Sequence, residues 1–333
     1  MARSKHHLID VEYPTFAESA LPPRTDVAEF QGRLVRVLST MANRNLTHLV
    51  VYGDREHFAN LAYLTGFDPR FEEAVLILSP QRDPFMLVGN ECEAYLPISP
   101  LFTSGKLRHE RYQPLSLLDQ PRQNSRLLRD ILAGEGIGAG RKVGCVGWKY
   151  FRESEHPDAT HALELPSFLV DTLRELAGWQ NVTNETDILM HADYGLRSFC
   201  SASETAYFEH TNVLASEAMK RMLFGLKEGM TDFQVAELAR VNGTPLGCHL
   251  SVKTGKERPT SLSGAMGNRI ARGNMFGANV CYWGSNICSR ALAVSPRYVS
   301  VEERLANATG IEEGLSGSFF GVFWVLTFLS LWY

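Results

Sequence analysis

Between residues 258 and 301 the sequence holds no aspartate and no glutamate, and no histidine follows His249. A divalent-metal centre needs anionic oxygen and imidazole donors to offset the charge of the ion, so this long stretch offers none of the expected donors. The six cysteines (Cys92, Cys145, Cys200, Cys248, Cys281 and Cys288) form no Cys-x-x-Cys pair. That argues against a zinc knuckle or a disulfide framework and favours buried thiols in a reducing compartment. Residues 1–10 are polar and basic and lack the apolar centre of a secretory signal, so the start reads as cytoplasmic. Asn-x-Thr sequons stand at Asn45, Asn181, Asn184, Asn242 and Asn307. They matter only in a secretory compartment and read as chance. A formal net charge of -4, without any basic stripe studded with aromatics, gives no reason to expect nucleic acid as a partner. There is no internal repeat and no low-complexity tract.

What is present suits a protein with a substantial core: 44% of the 333 residues are hydrophobic and 21% charged, enough chain for two domains. Pro14, Pro22 and Pro23 keep the first 25 residues from forming a long helix. Asp26 and Glu29 then make a capping box, and Phe30, Leu34, Val37, Leu38 and Met41 recur at helical spacing. Apolar runs predict strands at 47–52, 74–78 and 84–88, with a short helix over 58–65 ended by Gly66. A helix over 123–133, a strand over 142–146, a helix over 163–176 entered through Pro166 and a strand or turn over 181–188 complete an α/β layer. Ser201 with Glu204 caps a long helix running to about Gly225, and Thr231 with Gln234 opens another over 231–241.

Three pieces carry a resemblance. The run YGDREHFANLAYLTGFDPRFEEAVLIL is similar to the amino-terminal domain of creatinases and prolidase-type enzymes. The run LKEGMTDFQVAELA resembles the Gly-Met-Thr-Glu turn into a helix of the pita-bread fold shared by methionine aminopeptidase, Xaa-Pro aminopeptidase and creatinase. The pieces IARGN, NVCYWG and SRALAV resemble the hairpin on which that family places its first two metal-binding aspartates. The implied architecture is an α/β amino-terminal domain of the creatinase type followed by an incomplete α+β pita-bread domain. The expected segments are an irregular start (1–25), the creatinase-like domain (26–193), the partial pita-bread domain (194–301) and a polar helix with an apolar tail (302–333).

The same resemblance puts the first ligand position near Asn279 and the second on Asn286, Ile287 or Cys288, none of them a carboxylate. It puts the family's substrate-contacting histidine at about 259–261, where there is none, and the remaining ligands, a His and two Glu, past the last residue. The expectation is therefore a homologue of the creatinase and Xaa-Pro aminopeptidase family without metal-dependent peptidase activity and with no cofactor. Two alternatives stay open: a metal-independent amidinohydrolase of the creatinase kind, and an Xaa-Pro metallo-aminopeptidase holding Mn, Zn or Co.

His249 is the candidate catalytic imidazole, since histidine titrates near neutral pH, although a structural donor at a strand start is the plainer reading. A Cys248/His249 nucleophile and base pair is disfavoured, because neighbours on a strand point to opposite faces. Asp54, Arg55, Glu56 and His57 crowd a loop-to-helix junction and invite a metal reading, but ligands on one helical face need spacing of three or four, and the group reads as a solvated cap. Arg70, by the resemblance, is the candidate to reach a partner's substrate cleft in a homodimer, with a small molecule or short peptide as ligand; an ordinary solvent-facing arginine is the plainer alternative. Residues 315–333 carry no charge and are dense in Phe, Leu and Trp. A frame-shifted or truncated coding end, a packed terminal helix and a membrane tail anchor all stand as readings of them, an anchor being the minority view.

Overall fold

Asp26 caps the start of α1 (Val27–Asn43), its side chain accepting from the backbone N–H of Glu29, while the Glu29 carboxylate, expected to close a capping box, accepts from Arg33 and Ser201; the stripe Phe30, Leu34, Val37 and Met41 is buried. A computed structural model of the chain describes residues 21–255, 263–271 and 274–285. The expected helix at 302–313 and the apolar tail at 315–333 lie outside the described residues. After α1 come β1 (His48–Gly53), α2 (Ala59–Thr65), β2 (Ala74–Ser79), β3 (Arg82–Val88), α3 (Asn90–Tyr95), α4 (Pro100–Thr103) and β4 (Arg108–Arg111). Then follow α5 (Leu128–Gly134), β5 (Val143–Val146), α6 (Ser167–Ala177), β6 (Val182–Asn184) and α7 (Asp187–Met190). Gly66 ends α2 at φ 70°, and a Cβ there would stand 2.9 Å from both the Phe30 ring and Pro100, so only glycine suits the turn.

These strands make one six-stranded sheet in the order β4-β3-β2-β1-β5-β6. The β1–β5, β5–β6 and β3–β4 pairings are parallel, and the β1–β2 and β2–β3 pairings antiparallel. The run LVVY reads as unbroken apolar sequence because both faces of the sheet are covered. Leu49 and Val51 pack with α1 and α2 on one side, while Val50 and Tyr52 pack with α5 and α6 on the other. This is an α/β layered unit, Thr25–Ser201.

Residues 194–201 belong to that unit. The Tyr63 hydroxyl donates to the Leu196 carbonyl at 3.1 Å, and Arg197 Nη1 donates to Asn60 Oδ1 at 2.8 Å. The other unit takes residues 21–24 and the chain from Ala202 on. It contains α8 (Ala202–Gly225), α9 (Asp232–Glu237), β7 (Ser251–Gly255) and β8 (Met275–Asn279), with β7 and β8 antiparallel. Its core joins Leu214, Ala218 and Met222 of α8 to Val235, Val252, Phe276 and Tyr282. An α/β unit followed by helices on an antiparallel pair is the architecture that the sequence pattern implies.

Several elements differ from expectation, three of them as follows. The helix expected from residue 123 begins at Leu128, because Asn124 N–H donates to Gln113 Oε1 and Gln113 N–H donates to Ser125 Oγ, which pins 123–126 as loop. The helix expected over 231–241 stops at Glu237, ahead of Arg240 at φ 51° and the turn at Asn242–Gly243. The strand β4 has four polar residues and no apolar alternation, so its sequence carries no strand signal.

Candidate functional site

The expected ligand position Asn279 is the last residue of β8 and is 5% exposed. Its register partner on β7 is Ser251, whose hydroxyl donates to the Ser263 carbonyl at 2.6 Å. Neither side chain carries charge. Ile287 and Cys288, the other expected positions, and Asn286 beside them, lie outside the described residues. A divalent cation at this place would meet a neutral amide and a hydroxyl where it needs carboxylates, so the donors present do not fit the pair of metal ions that the resemblance implies. Among the described residues no group of three His, Cys, Asp or Glu is arranged to hold a metal ion.

A fully buried carboxylate of this unit is engaged elsewhere. Asp232 is fully buried, and its oxygens accept from the backbone N–H of Met266 (3.0 Å), Gly267 (2.8 Å), Asn268 (3.3 Å) and Phe233 (3.0 Å). It ties the start of α9 to the segment that leads into β8. The capping box beside it is complete, with Thr231 Oγ1 accepting from Gln234 N–H and Gln234 Oε1 accepting from Thr231 N–H. The sequence showed the box but not the use of Asp232, because the partners lie more than 30 residues away.

Cys248 and His249 are exposed and stand in a bend before β7, not on a strand. The ladder explains this. Ser251 pairs with Asn279 and Leu246 bridges Tyr282, so four residues on one side face two on the other and residues 247–250 bulge outward. Gly247 N–H still donates to the Cys281 carbonyl at 2.9 Å, which fixes the base of the bulge.

In the first unit, Asp54 Oδ1 accepts from the backbone N–H of Glu56 (2.8 Å) and His57 (2.7 Å), and His57 Nδ1 lies 3.1 Å away. The group is a turn held by Asp54, with the His57 ring stacked on Trp148 at 3.9 Å between centroids. Arg70 is exposed, with φ 55°. Its guanidinium donates to Tyr95 Oη at 2.7 and 3.0 Å and lies 3.4 Å from Asp68. Burial raises the Asp68 carboxyl above its ordinary value despite the charge of Arg70. Asp68 and Arg70 form a fixed acid and base couple on this loop, one member buried and one open to solvent.

An α/β domain with a mixed sheet, followed by a long helix, a capped short helix and an antiparallel pair, is the fold of the prolidases and Xaa-Pro aminopeptidases. The dipeptidase PepE of Mycobacterium ulcerans is similar to this chain over 77% of it and 61% of PepE, at 17% identity and a TM-score of 0.54. The prolidase of Pyrococcus horikoshii is similar over 85% of the chain and 70% of its own, at 14% identity and a TM-score of 0.58. The X-Pro aminopeptidase of Thermotoga maritima is similar over 84% and 69%, at 13% identity and a TM-score of 0.55. The chain thus spans less than two thirds of the length of PepE and about 70% of the other two. No protein-family model and no curated protein matches the sequence. No helix among the described residues is long and apolar enough to cross a membrane.

Proposed function

We propose that this chain is a creatinase and Xaa-Pro aminopeptidase-like protein without metal-dependent peptidase activity. One observation carries the reading: the position that resemblance assigns to the first metal-binding aspartate holds Asn279, a buried amide opposite a serine. An amide binds a divalent ion far less well than a carboxylate and leaves the charge of a bridging hydroxide and two cations uncompensated. The protein acts in the cytoplasm as a homodimer that binds a small molecule or short peptide, with no cofactor.

The test is elemental analysis of the purified protein after loading with Mn and Zn and dialysis, together with an assay for release of an amino acid from an Xaa-Pro dipeptide. Retention of less than a tenth of an equivalent of metal per chain and no release are expected. About two tightly held equivalents with release would overturn the reading. A second reading, hydrolysis of a small amidino compound without metal, is favoured by the exposed His249 in the bulge beside the Asn279 pair. It predicts turnover that His249→Ala abolishes.

A further inference from the structure

A cavity of about 430 Å³ opens within the first unit at the amino-terminal end of β1. Thr47 and His48 at the start of β1, Gln81 of the β2–β3 turn, Arg82 at the start of β3, and Gly136 and Arg141 from the connection between α5 and β5 line it. Its size suits a small metabolite. Glu135, the carboxylate on its wall, is already engaged by Arg108 through two hydrogen bonds at 3.0 and 2.7 Å, and Arg82 Nη1 lies 3.6 Å from it. Although burial pushes its carboxyl upward, Arg108 and Arg82 hold it below its ordinary value, so it is ionised and paired at neutral pH. The Arg82 guanidinium spends one further N–H on the Gly134 carbonyl at 2.7 Å. Arg141 is exposed and has no ion-pair partner among the described residues. Arg82 and Arg141 against the Glu135 carboxylate leave the lining of the cavity with an excess of positive charge.

His48, 5% exposed, lines this cavity, and both of its ring nitrogens find a hydrogen-bond partner in either protonation state. Nε2 lies 3.2 Å from the Glu135 carbonyl, which can only accept. Nδ1 lies 3.0 Å from Thr47 Oγ1, and the single proton of that hydroxyl also has the Lys142 carbonyl within 2.9 Å. In the neutral ring Nε2–H donates to the Glu135 carbonyl and Nδ1 accepts from Thr47; in the imidazolium Nδ1–H donates to Thr47 Oγ1, whose proton turns to the Lys142 carbonyl, so proton uptake leaves no group unpaired. Burial, aided by the charges of Arg141 and Arg82 and opposed by the Glu135 carbonyl and carboxylate, lowers the pKa of the ring below its ordinary value.

We propose that this cavity binds a small phosphate monoester, whose phosphoryl oxygens are taken by the guanidinium groups of Arg82 and Arg141 while the His48 imidazole takes up a proton. Two guanidiniums and a proton-accepting ring match a dianion better than a singly charged carboxylate, and arginine meets phosphate oxygens in paired hydrogen bonds. Anion entry offsets the two charges that oppose protonation of His48, so binding and proton uptake are coupled.

The experiment is calorimetric titration of the full chain with ribose 5-phosphate at pH 7.5, in two buffers of different ionisation enthalpy. Saturable binding with net proton uptake is expected. Arg141→Gln, an exposed change, is expected to weaken binding by about tenfold or more, while the distant surface variant Arg129→Gln binds as the unaltered protein does. His48→Gln is expected to lose the proton uptake. Absence of saturable binding, equal loss in Arg129→Gln, acetate binding as tightly as the phosphate ester, or uptake that persists in His48→Gln would each overturn the proposal.

Discussion

Asp232 is a buried acid whose charge is met wholly by backbone N–H groups, those of residues 233, 266, 267 and 268. Removing it leaves these backbone donors without their acceptor, and hydrogen bonds to a charged group contribute about 1.5–3 kcal/mol each in favourable cases. Asp232→Ala is expected to lower unfolding free energy by about 2–4 kcal/mol, read as the shift in urea midpoint, with Asp232→Asn losing less. A loss under about 0.5 kcal/mol would mean the contacts do not hold the segment. His48 gives a pH dependence. Burial lowers its folded pKa below the ordinary value, so the unfolded chain binds the proton more readily. Its contribution to stability is complete above an unfolded value of about 6.5 and is lost as pH falls from there through the lower folded value. The difference in urea midpoint between the unaltered protein and His48→Gln is expected to shrink over that window and to be flat above pH 7.5. The sequence pointed to neither residue, since their partners are remote in the chain. It did reveal Asp26, Gly66 and Thr231, whose caps and turns close within a few residues.

At the scale of elements, local signals and burial carry very different weights. In α1 the cap at Asp26 contributes one backbone hydrogen bond, whereas Met41 is fully buried among the residues that α1 and β1 share. Asp26→Ala is expected to cost about 1 kcal/mol. Met41→Ala is expected to cost about 2–5 kcal/mol. Chemical denaturation of both variants checks the ratio, and a cap loss equal to the core loss would contradict it. The same distinction explains what was legible. Elements that bury apolar residues announced themselves, α1 through helical periodicity and β1 and β2 through unbroken apolar runs. The element β4 did not, because it is a strand by pairing with β3 and not by its own composition. The beginning of α6 at Ser167, later than expected, has a similar cause. Glu164 Oε1 accepts from Trp148 N–H at 2.6 Å and Lys149 N–H at 2.7 Å, which holds the residues before Pro166 out of the helix.

For the whole molecule, the two-part architecture was readable because the runs around Tyr63 and Met230 each sit at an element junction with a fixed chemical requirement. The candidate site was less readable. Asn279 could be placed from sequence, but the bulge that lifts Cys248 and His249 out of β7 depends on the pairing of Leu246 with Tyr282. If the protein is the homodimer proposed above, sedimentation equilibrium is expected to return twice the 37.2 kDa of one chain. A single chain mass up to about 50 µM, a concentration well above the dissociation constants usual for stable dimers, would set the dimer aside.

The outer strand β4 bears on how copies can meet. Every one of its side chains is drawn toward a neighbour in its own unit: Arg108 to Glu135, His109 and Arg111 to Glu93, and Glu110 to Arg126. An antiparallel strand laid against it by a second copy in central register would set Arg108 against Arg111, like charge facing like. Crowding the protein therefore gives no continuous ribbon from that side, and its sheet ends where the chain ends it.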